Sequence, residues 1–567
     1  MIPTFRATGA VAGTAGWGYQ LIQERQLLTV LQDERPYRQP VKRRVGDWSA
    51  VTSPDSIETD GSIHMQCGSQ LPSLGPCCRR GPPTAIAWAQ SLGTGRCLGN
   101  QPQRRIGRAG SGRGGGGRWG SCENICERTL WKGDATIRRI TIAVLAAAFL
   151  GLASLLLLSW RREIAPIGRP ASGSFSARSI AHGEALAAAG HCASCHTRPG
   201  GQPFAGGYGV HTPFGTIYGT NITPDPRTGI GTWSIEAFVR AMREGVTRSG
   251  SHLFPAFPYN AYTKLTDDDL KALYAYLMTR RPISATVPSN TVPFPLSVRA
   301  LQEGWKILLF TSGRYQRNPS KSDEWNRGAY LAEALSDCGG CHTPRNSLGG
   351  EKTKEAYAGA VIDGWIAPPL KDANPSPAPW TREELFSFLR TGASPLHGAV
   401  GATMTPVVRD ALALPVVPDS DVRAIAVYFS DMDHAGAGAG ATTREALATS
   451  DLAIGQEYDA DADIYAGACI ACHYNAGPVP LAARPELAFN NALTLSEPTN
   501  FIQVVLKGVG SADGAPGLVM PAYGSSLSDS EIARLAAYLR RTRTKYPPWS
   551  DLGEKVSAIR RESAASY

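Results

Sequence analysis

Apolar residues recur at helical spacing in three parts of the chain, and each part contains two predicted helices. The first helix of each pair runs into a short cysteine-containing motif. The second opens with acidic and capping residues before an apolar run, as in DDDLKALYAYLM from residue 267. The first helices are predicted at 183–196, 327–342 and 461–473, and the second ones begin at Asp267, Asp419 and Ser528. The pattern therefore predicts a mainly α fold class.

The second helices share a register that indicates a tandem repeat. In each of them a tyrosine stands six positions after the first apolar residue, at Tyr276, Tyr428 and Tyr538. We expect these tyrosines to pack in the core. A Pro-rich segment at 282–295 and a Gly/Ala-rich segment at 434–443 separate the repeats. The predicted domains cover residues 175–290, 321–433 and 450–545.

A hydrophobic segment long enough to cross a bilayer precedes the repeats. Ile140–Trp160 contains 21 residues and no charge. Pairs of arginines flank it at 138–139 and 161–162, so the positive-inside rule barely distinguishes the two orientations. No A-x-A cleavage site immediately follows the apolar run. We therefore expect a retained N-terminal transmembrane helix at 137–163, with a cleaved signal peptide as the alternative.

Residues 1–136 differ in composition from the rest of the chain. They hold six of the 12 cysteines and an Arg/Gly tract at 104–120, and they lack sustained apolar periodicity. With 17 Lys and Arg against 10 Asp and Glu, they carry +7 of the net +9 charge. The basicity is therefore confined to this segment, and no nucleic-acid partner is expected. We expect residues 1–136 to be absent from the mature protein because translation starts later. A disordered cytoplasmic extension is the alternative.

Three copies of C-x-x-C-H give the chain its candidate chemistry. At this spacing two thiols attach a haem and the next histidine ligates its iron. A zinc site would need two more ligands near each pair, and none of the three regions supplies another cysteine. The sequence therefore predicts three covalent c-type haems. The attaching residues are Cys192 and Cys195, Cys338 and Cys341, and Cys469 and Cys472, and the iron ligands are His196, His342 and His473.

A methionine precedes two of the second helices where a sixth iron ligand would be presented. Met404 lies in GATMTP and Met520 in GLVMPAYG, each followed closely by proline, and the chain has only seven methionines. The soft thioether of methionine raises the potential of a haem held by histidine. We therefore predict that Met404 and Met520 ligate the second and third irons.

The first repeat has Phe257 at the matching place, and a phenyl ring cannot ligate iron. His252 is the nearest alternative donor. Met242 and Met278 lie on predicted helices, where core packing is expected. An open or water-bound sixth position is the remaining possibility for this haem.

Four long runs resemble a known family, the membrane-bound three-haem cytochrome c subunits that accompany bacterial periplasmic alcohol, gluconate, sorbitol or aldehyde dehydrogenases. The resemblance covers roughly residues 175–545, and members often carry methionine where Phe257 stands. It implies an inner-membrane protein whose haem domains lie in the periplasm. The implied partners are a flavin, quinone or molybdenum dehydrogenase and, as acceptor, ubiquinone or a terminal oxidase. The four runs are 212–234, 252–278, 325–346 and 490–509.

The sequence offers no substrate chemistry beside the haems. It contains no Walker-type loop, dinucleotide fingerprint or plausible nucleophile–base cluster. We therefore predict an electron-transfer subunit that has no catalytic residues and is not an enzyme alone. The alternative is a self-sufficient, peroxidase-like haem enzyme that reacts at an open first haem.

Overall fold

The computed structural model describes residues 123–371, 374–432, 439–453, 460–473, 486–510 and 520–565. These residues are mainly helical, with three two-stranded hairpins among them. The predicted mainly α class is confirmed. Most of the predicted N-terminal extension, residues 1–122, lies outside the described residues, as does part of the predicted Gly/Ala linker, residues 434–438.

A long apolar helix, α1, leads into the motif-bearing part of the chain. It spans Glu123–Ser159, and most residues of its 24-residue stretch Thr136–Ser159 are exposed. A helix of that length and composition suffices to cross a bilayer. The predicted hydrophobic segment is therefore a helix, and it ends one residue before Trp160.

The first unit surrounds the motif at Cys192. Two of its helices, α2 (Ala177–Ala189) and α6 (Asp267–Thr279), cross at Gly183, where an added β-carbon would lie 1.9 Å from the carbonyl oxygen of Ala272. Glycine alone permits this approach. The elements are α2 (Ala177–Ala189), α3 (Cys192–His196), β1 (Gly209–Thr212), β2 (Gly215–Tyr218), α4 (Ile235–Glu244), α5 (Tyr259–Tyr262) and α6 (Asp267–Thr279).

Between the first and second units lies α7 (Leu301–Leu309), a helix that the sequence patterns did not predict. It packs beside α1.

The second unit repeats the architecture of the first. Two of its helices, α8 (Asp323–Tyr330) and α12 (Asp419–Met432), cross at Gly328, where an added β-carbon would lie 1.9 Å from the carbonyl oxygen of Ala424. The matching crossings identify the two units as copies of one structure. The elements are α8 (Asp323–Tyr330), α9 (Cys338–His342), β3 (Ala360–Ile362), β4 (Trp365–Ala367), α10 (Arg382–Thr391), β5 (Ala393–Ser394), β6 (Gly398–Ala399), α11 (Thr405–Val407) and α12 (Asp419–Met432).

The third unit has the same pairing of a helix before its motif with a closing helix. Here α14 (Ala460–Ala468) packs against α17 (Asp529–Arg543), and the ring centres of Tyr465 and Tyr538 lie 5.9 Å apart. The elements are α13 (Ala439–Ala453), α14 (Ala460–Ala468), α15 (Asn491–Thr494), α16 (Thr499–Lys507), α17 (Asp529–Arg543) and α18 (Leu552–Ala565).

The three tyrosines that define the predicted register are all buried. Tyr276, Tyr428 and Tyr538 expose 7%, 1% and 3% of their surface. The closing helices α6, α12 and α17 begin within one residue of the predicted starts. The expected core packing of the tyrosines is therefore confirmed.

The predicted continuous helices at 183–196 and 327–342 are each interrupted over the two residues before the motif, and the one predicted at 461–473 ends at Ala468, before its motif. His191 and Asp337 adopt φ of 40° and 46°, and each separates the preceding helix from the one-turn motif helix. Such left-handed conformations are uncommon except at glycine, although Asp, Asn and His tolerate them best. Helical periodicity does not detect so short an interruption, since the apolar pattern continues through it.

Candidate haem sites

The first motif forms helix α3, and its histidine is held by the backbone of the loop after the first hairpin. The ring Nδ1 of His196 lies 2.6 Å from the carbonyl oxygen of Thr220. A carbonyl only accepts, so Nδ1 carries the proton and Nε2 keeps a lone pair that can bind a metal. Burial lowers the pKa of His196, which favours this neutral ring.

The second motif reproduces this arrangement. His342 Nδ1 lies 2.7 Å from the carbonyl oxygen of Pro368, and burial again lowers the pKa of the histidine. The backbone N–H of Gly359 donates to the His342 carbonyl at 2.8 Å, as Gly206 donates to the His196 carbonyl at 2.7 Å. Both histidines are thus oriented through backbone groups. A backbone acceptor leaves no residue-type signal in the sequence, and these partners were not predicted.

The third motif follows α14 directly. The N–H of His473 donates to the Cys469 carbonyl at 2.9 Å, and the Tyr523 hydroxyl donates to the Ala468 carbonyl at 2.6 Å. These bonds close a turn that holds the motif against the segment carrying Met520. The twelve positions that follow, 474–485, lie outside the described residues.

The first and second motifs are joined by hydrogen bonds at the residues just before them. His191 Nε2 lies 3.1 Å from the Ser336 carbonyl oxygen, and the Ser336 hydroxyl donates to the Ala189 carbonyl at 2.8 Å. These two hydrogen bonds bring the first and second motif-bearing turns into contact.

All nine residues of the three motifs line one continuous cavity of about 2000 Å³. Its wall is largely apolar, and its volume is well above the roughly 300–1,000 Å³ usual for one small ligand. Met404, Met520 and Phe257 also line it. The structure thus brings together every predicted site residue. The size, the apolar wall and the free lone pairs of two histidines fit several haem groups.

The Cys192 and Cys338 thiols differ from those of a reactive redox pair. The six motif cysteines form no disulfide, and burial raises the pKa of Cys192 and Cys338 to about 12. Thiols that stay protonated are poor nucleophiles. Within the described ranges, no group of three or more His, Cys, Asp or Glu side chains is placed to hold a metal ion.

Phe257 and Met404 stand at corresponding places in the first two units. Helices α4 and α10 each end at a glycine with positive φ, Gly245 and Gly392. The carbonyl of each glycine accepts a 2.8 Å hydrogen bond from the N–H eight residues later. Four residues beyond that donor stand Phe257 in the first unit and Met404 in the second. The structural match supports the sequence argument that phenylalanine replaces a methionine.

Two of the three alternative donors for the first iron are held by other contacts in the protein. His252 is buried, with Nε2 2.7 Å from the Ser159 carbonyl oxygen and Nδ1 3.0 Å from Lys306 Nζ, so the protein engages both ring nitrogens. Met278 is fully buried in the core. Met242 belongs to the core but also lines the cavity.

The repeated units, the oriented histidines and the shared cavity define a c-type cytochrome. The cytochrome c family profile matches residues 180–281, and the profile described as cytochrome C oxidase, cbb3-type, subunit III matches residues 456–539. The chain belongs to the family of cytochrome c subunits of membrane-bound dehydrogenases, as the following relatives establish.

The relatives are named as subunits of dehydrogenases. The fructose dehydrogenase cytochrome subunit of Gluconobacter japonicus is 34% identical over 68% of this chain and 84% of its own length. The gluconate 2-dehydrogenase cytochrome c subunit of Pantoea cypripedii is 36% identical over 64% of this chain and 85% of its own length. A nicotinate dehydrogenase subunit of Pseudomonas putida is 44% identical over 71% of this chain, but the chain covers only 34% of that relative. This membership supports electron transfer with a catalytic dehydrogenase as partner.

Proposed function

We propose that this chain carries three covalent c-type haems and passes electrons from a periplasmic dehydrogenase to ubiquinone or a terminal oxidase. The observation that carries the proposal is that all nine motif residues line one cavity. When bound, the haems supply one-electron transfer. The protein supplies attachment, orientation and an apolar enclosure.

The proposed roles follow the three repeats. The six motif cysteines form the thioether links, and His196, His342 and His473 are the fixed iron ligands. Met404 and Met520 are the sixth ligands of the second and third haems. Both methionines line the cavity with their motifs, which supports these roles. The proposed tandem domains are 175–290, 321–433 and 450–545.

The second unit is the natural middle of the electron path because it contacts both others near their sites. It meets the first unit through the bond between His191 and Ser336. It meets the third through Asn500, whose side chain makes two 2.8 Å hydrogen bonds to the backbone of Ile366 in β4. The Pro368 carbonyl that holds His342 lies two residues beyond that contact.

Helix α1 is the proposed membrane anchor, with the haem-bearing units in the periplasm of a bacterial inner membrane. The apolar stretch Thr136–Ser159 supports this assignment. The dehydrogenase partner would be of the flavin, quinone or molybdenum type. Each of these cofactors accepts two electrons from substrate and can release them singly to a cytochrome.

We expect the purified chain to retain three haem mass increments after denaturation, because thioether links survive unfolding. Changing both Cys338 and Cys341 to serine should remove one increment, as should the same pair of changes at Cys192 and Cys195. Intact mass after acid-acetone extraction measures this count. Fewer than three increments in the unaltered chain would contradict the proposal for at least one motif.

We also expect the chain alone to oxidise no alcohol, sugar acid or aldehyde, and to be reduced rapidly by its co-purifying dehydrogenase. Spectroscopic reduction with and without that partner measures this difference. The rival is a peroxidase-like enzyme, which Phe257 favours because it offers no donor atom at the sixth-ligand register. Turnover of peroxide by the isolated chain at about 1 to 1,000 per second, the range typical of enzymes, would establish the rival.

Phe257→Met should add a methionine–iron charge-transfer signature and raise the potential of one haem only. The thioether would enter at the place that Met404 occupies in the second unit, and methionine ligation raises potential. A redox titration with near-infrared absorption measures both effects. Phe254→Met is the matched control, because Phe254 lines the same cavity three residues earlier. Three methionine signatures in the unaltered protein, or equal effects of the two variants, would refute this assignment.

A further inference from the structure

Helix α7 buries two polar side chains and exposes two large apolar ones. Gln302 and Lys306 expose 8% and 5% of their surface, whereas Ile307 and Leu308 expose 60% and 71%. A helix on a water-facing surface has the opposite distribution. Buried polar groups beside exposed large apolar groups indicate that the outer face meets something other than water.

The polar face of α7 is fixed by specific partners. Lys306 Nζ donates to the Gly245 carbonyl at 3.0 Å and lies 3.0 Å from Nδ1 of His252. Glu303 pairs with Arg161 at 2.7 Å. These bonds satisfy the buried groups, so rotating α7 to hide Ile307 and Leu308 would break them. The exposure of the apolar face is therefore built into the packing.

The same contacts hold α7 against the last turns of α1. Leu155 is the nearest neighbour of Gly304, at 3.6 Å from where a β-carbon would lie. The Ser159 carbonyl at the end of α1 is bonded to His252, which also contacts Lys306. Trp160 and the arginines at 161–162 come next, and such residues favour the interface between a bilayer and water. Helix α7 therefore lies level with the end of the apolar helix.

The segment just before α7 extends this apolar surface. Phe294 exposes 82% of its surface, Leu296 43% and Val298 38%. We call these three residues, with Ile307 and Leu308, the apolar shelf.

We propose that the apolar shelf lies in the interfacial layer of the bilayer that α1 crosses, with lipid as its occupant. The proposal rests on the proposed membrane span. It is carried by the continuity of the shelf with α1 and by the fixed inversion of α7. Leu296 of the shelf, and the adjoining Gln302 and Trp305, also line the cavity that holds the first motif. The shelf would therefore hold the first haem site close to the membrane surface.

Photo-crosslinking of the full chain in lipid nanodiscs, with its dehydrogenase bound, tests this placement. A benzophenone amino acid replaces Leu308, which is 71% exposed, or Lys545 in the third unit, whose side chain is 64% exposed and does not line the cavity. Leu157 on α1, at 77% exposure, is the control for the span itself. We expect about tenfold more lipid adduct at position 308 than at 545, since an interfacial side chain sits among headgroups and acyl chains.

The three positions separate the possible failures. Lipid adducts at 157 but not at 308, equal yields at 308 and 545, or a protein adduct to the dehydrogenase at 308 would each overturn the shelf while leaving the anchor intact. An absence of lipid adduct at 157 would overturn the membrane span and the shelf with it. The count of covalent haems, measured on the same samples, does not depend on either result and tests the electron-transfer proposal separately.

Discussion

Replacing Gly328 with valine is expected to lower the free energy of unfolding by roughly 3 kcal/mol, an overpacking effect at the upper end of its usual range. A β-carbon at this position would lie 1.9 Å from the Ala424 carbonyl oxygen and 2.9 Å from the Tyr428 β-carbon. Backbone atoms cannot rotate away as a flexible side chain can, so α8 and α12 must separate. Their separation would open the core beneath the second motif. Denaturant unfolding followed by circular dichroism measures the change.

Gly467→Ala is the matched control. Gly467 also lies in a helix, α14, but an added β-carbon there would meet nothing within 4 Å. Alanine favours helices over glycine by up to about 1 kcal/mol, so this variant should be unchanged or slightly more stable. If the Gly328→Val protein unfolds at the same denaturant concentration as the unaltered one, the close crossing of α8 and α12 is incorrect.

The role of the two helix-interior glycines could not be predicted from the sequence. By propensity alone Gly183 and Gly328 weaken the helices that contain them. The need for glycine comes from a second helix about ninety residues later in the chain (Ala272 and Ala424), and only the fold brings that helix close. The register of the closing helices was predictable, since it repeats in the pattern itself. The tight crossing was not, because no local pattern encodes the distance between two helices.

The spacing between crossing and motif differs by one residue in the first two units. Gly183 precedes Cys192 by nine positions, and Gly328 precedes Cys338 by ten. The second unit accommodates the extra residue in a π-helical turn at Leu331–Leu335. A simple helical count would misalign the two motifs, whereas the wider turn lets both crossings and both motifs correspond.

The side chains of the candidate site could be predicted from the sequence, but the backbone groups that orient them could not. The cysteines, histidines and methionines carry their chemistry in their residue types, and the structure places them around one cavity. The carbonyl groups of Thr220 and Pro368 orient two of the histidines. Because they belong to the backbone, no residue type in the sequence indicates their role. The polarity of α7 is similar. LQEGWKILL reads as amphipathic, but the sequence does not say which face is buried.

His342→Gly is expected to reduce substrate-driven electron flow through the complex by more than about tenfold, because loss of a mere supporting partner of a metal ligand already costs 10–100-fold. The proposal makes His342 the fixed ligand in the middle unit, which contacts both others. The glycine variant keeps both cysteines, so the haem count should stay at three. Absorption spectra should show one site altered, and oxygen uptake by membranes given substrate measures the flow.

Added imidazole should restore much of that flow, because it can enter the space of the missing ring and supply the same donor nitrogen. A purely structural defect would not respond to it. His182→Ala is the control, since His182 is exposed on α2, belongs to none of the three motifs and does not line the cavity. This variant should keep full substrate-driven electron flow, and added imidazole should not change it. Unchanged flow in His342→Gly would mean that electrons bypass the second unit, and the hydrogen-bonded succession of first, second and third units would then not be their route.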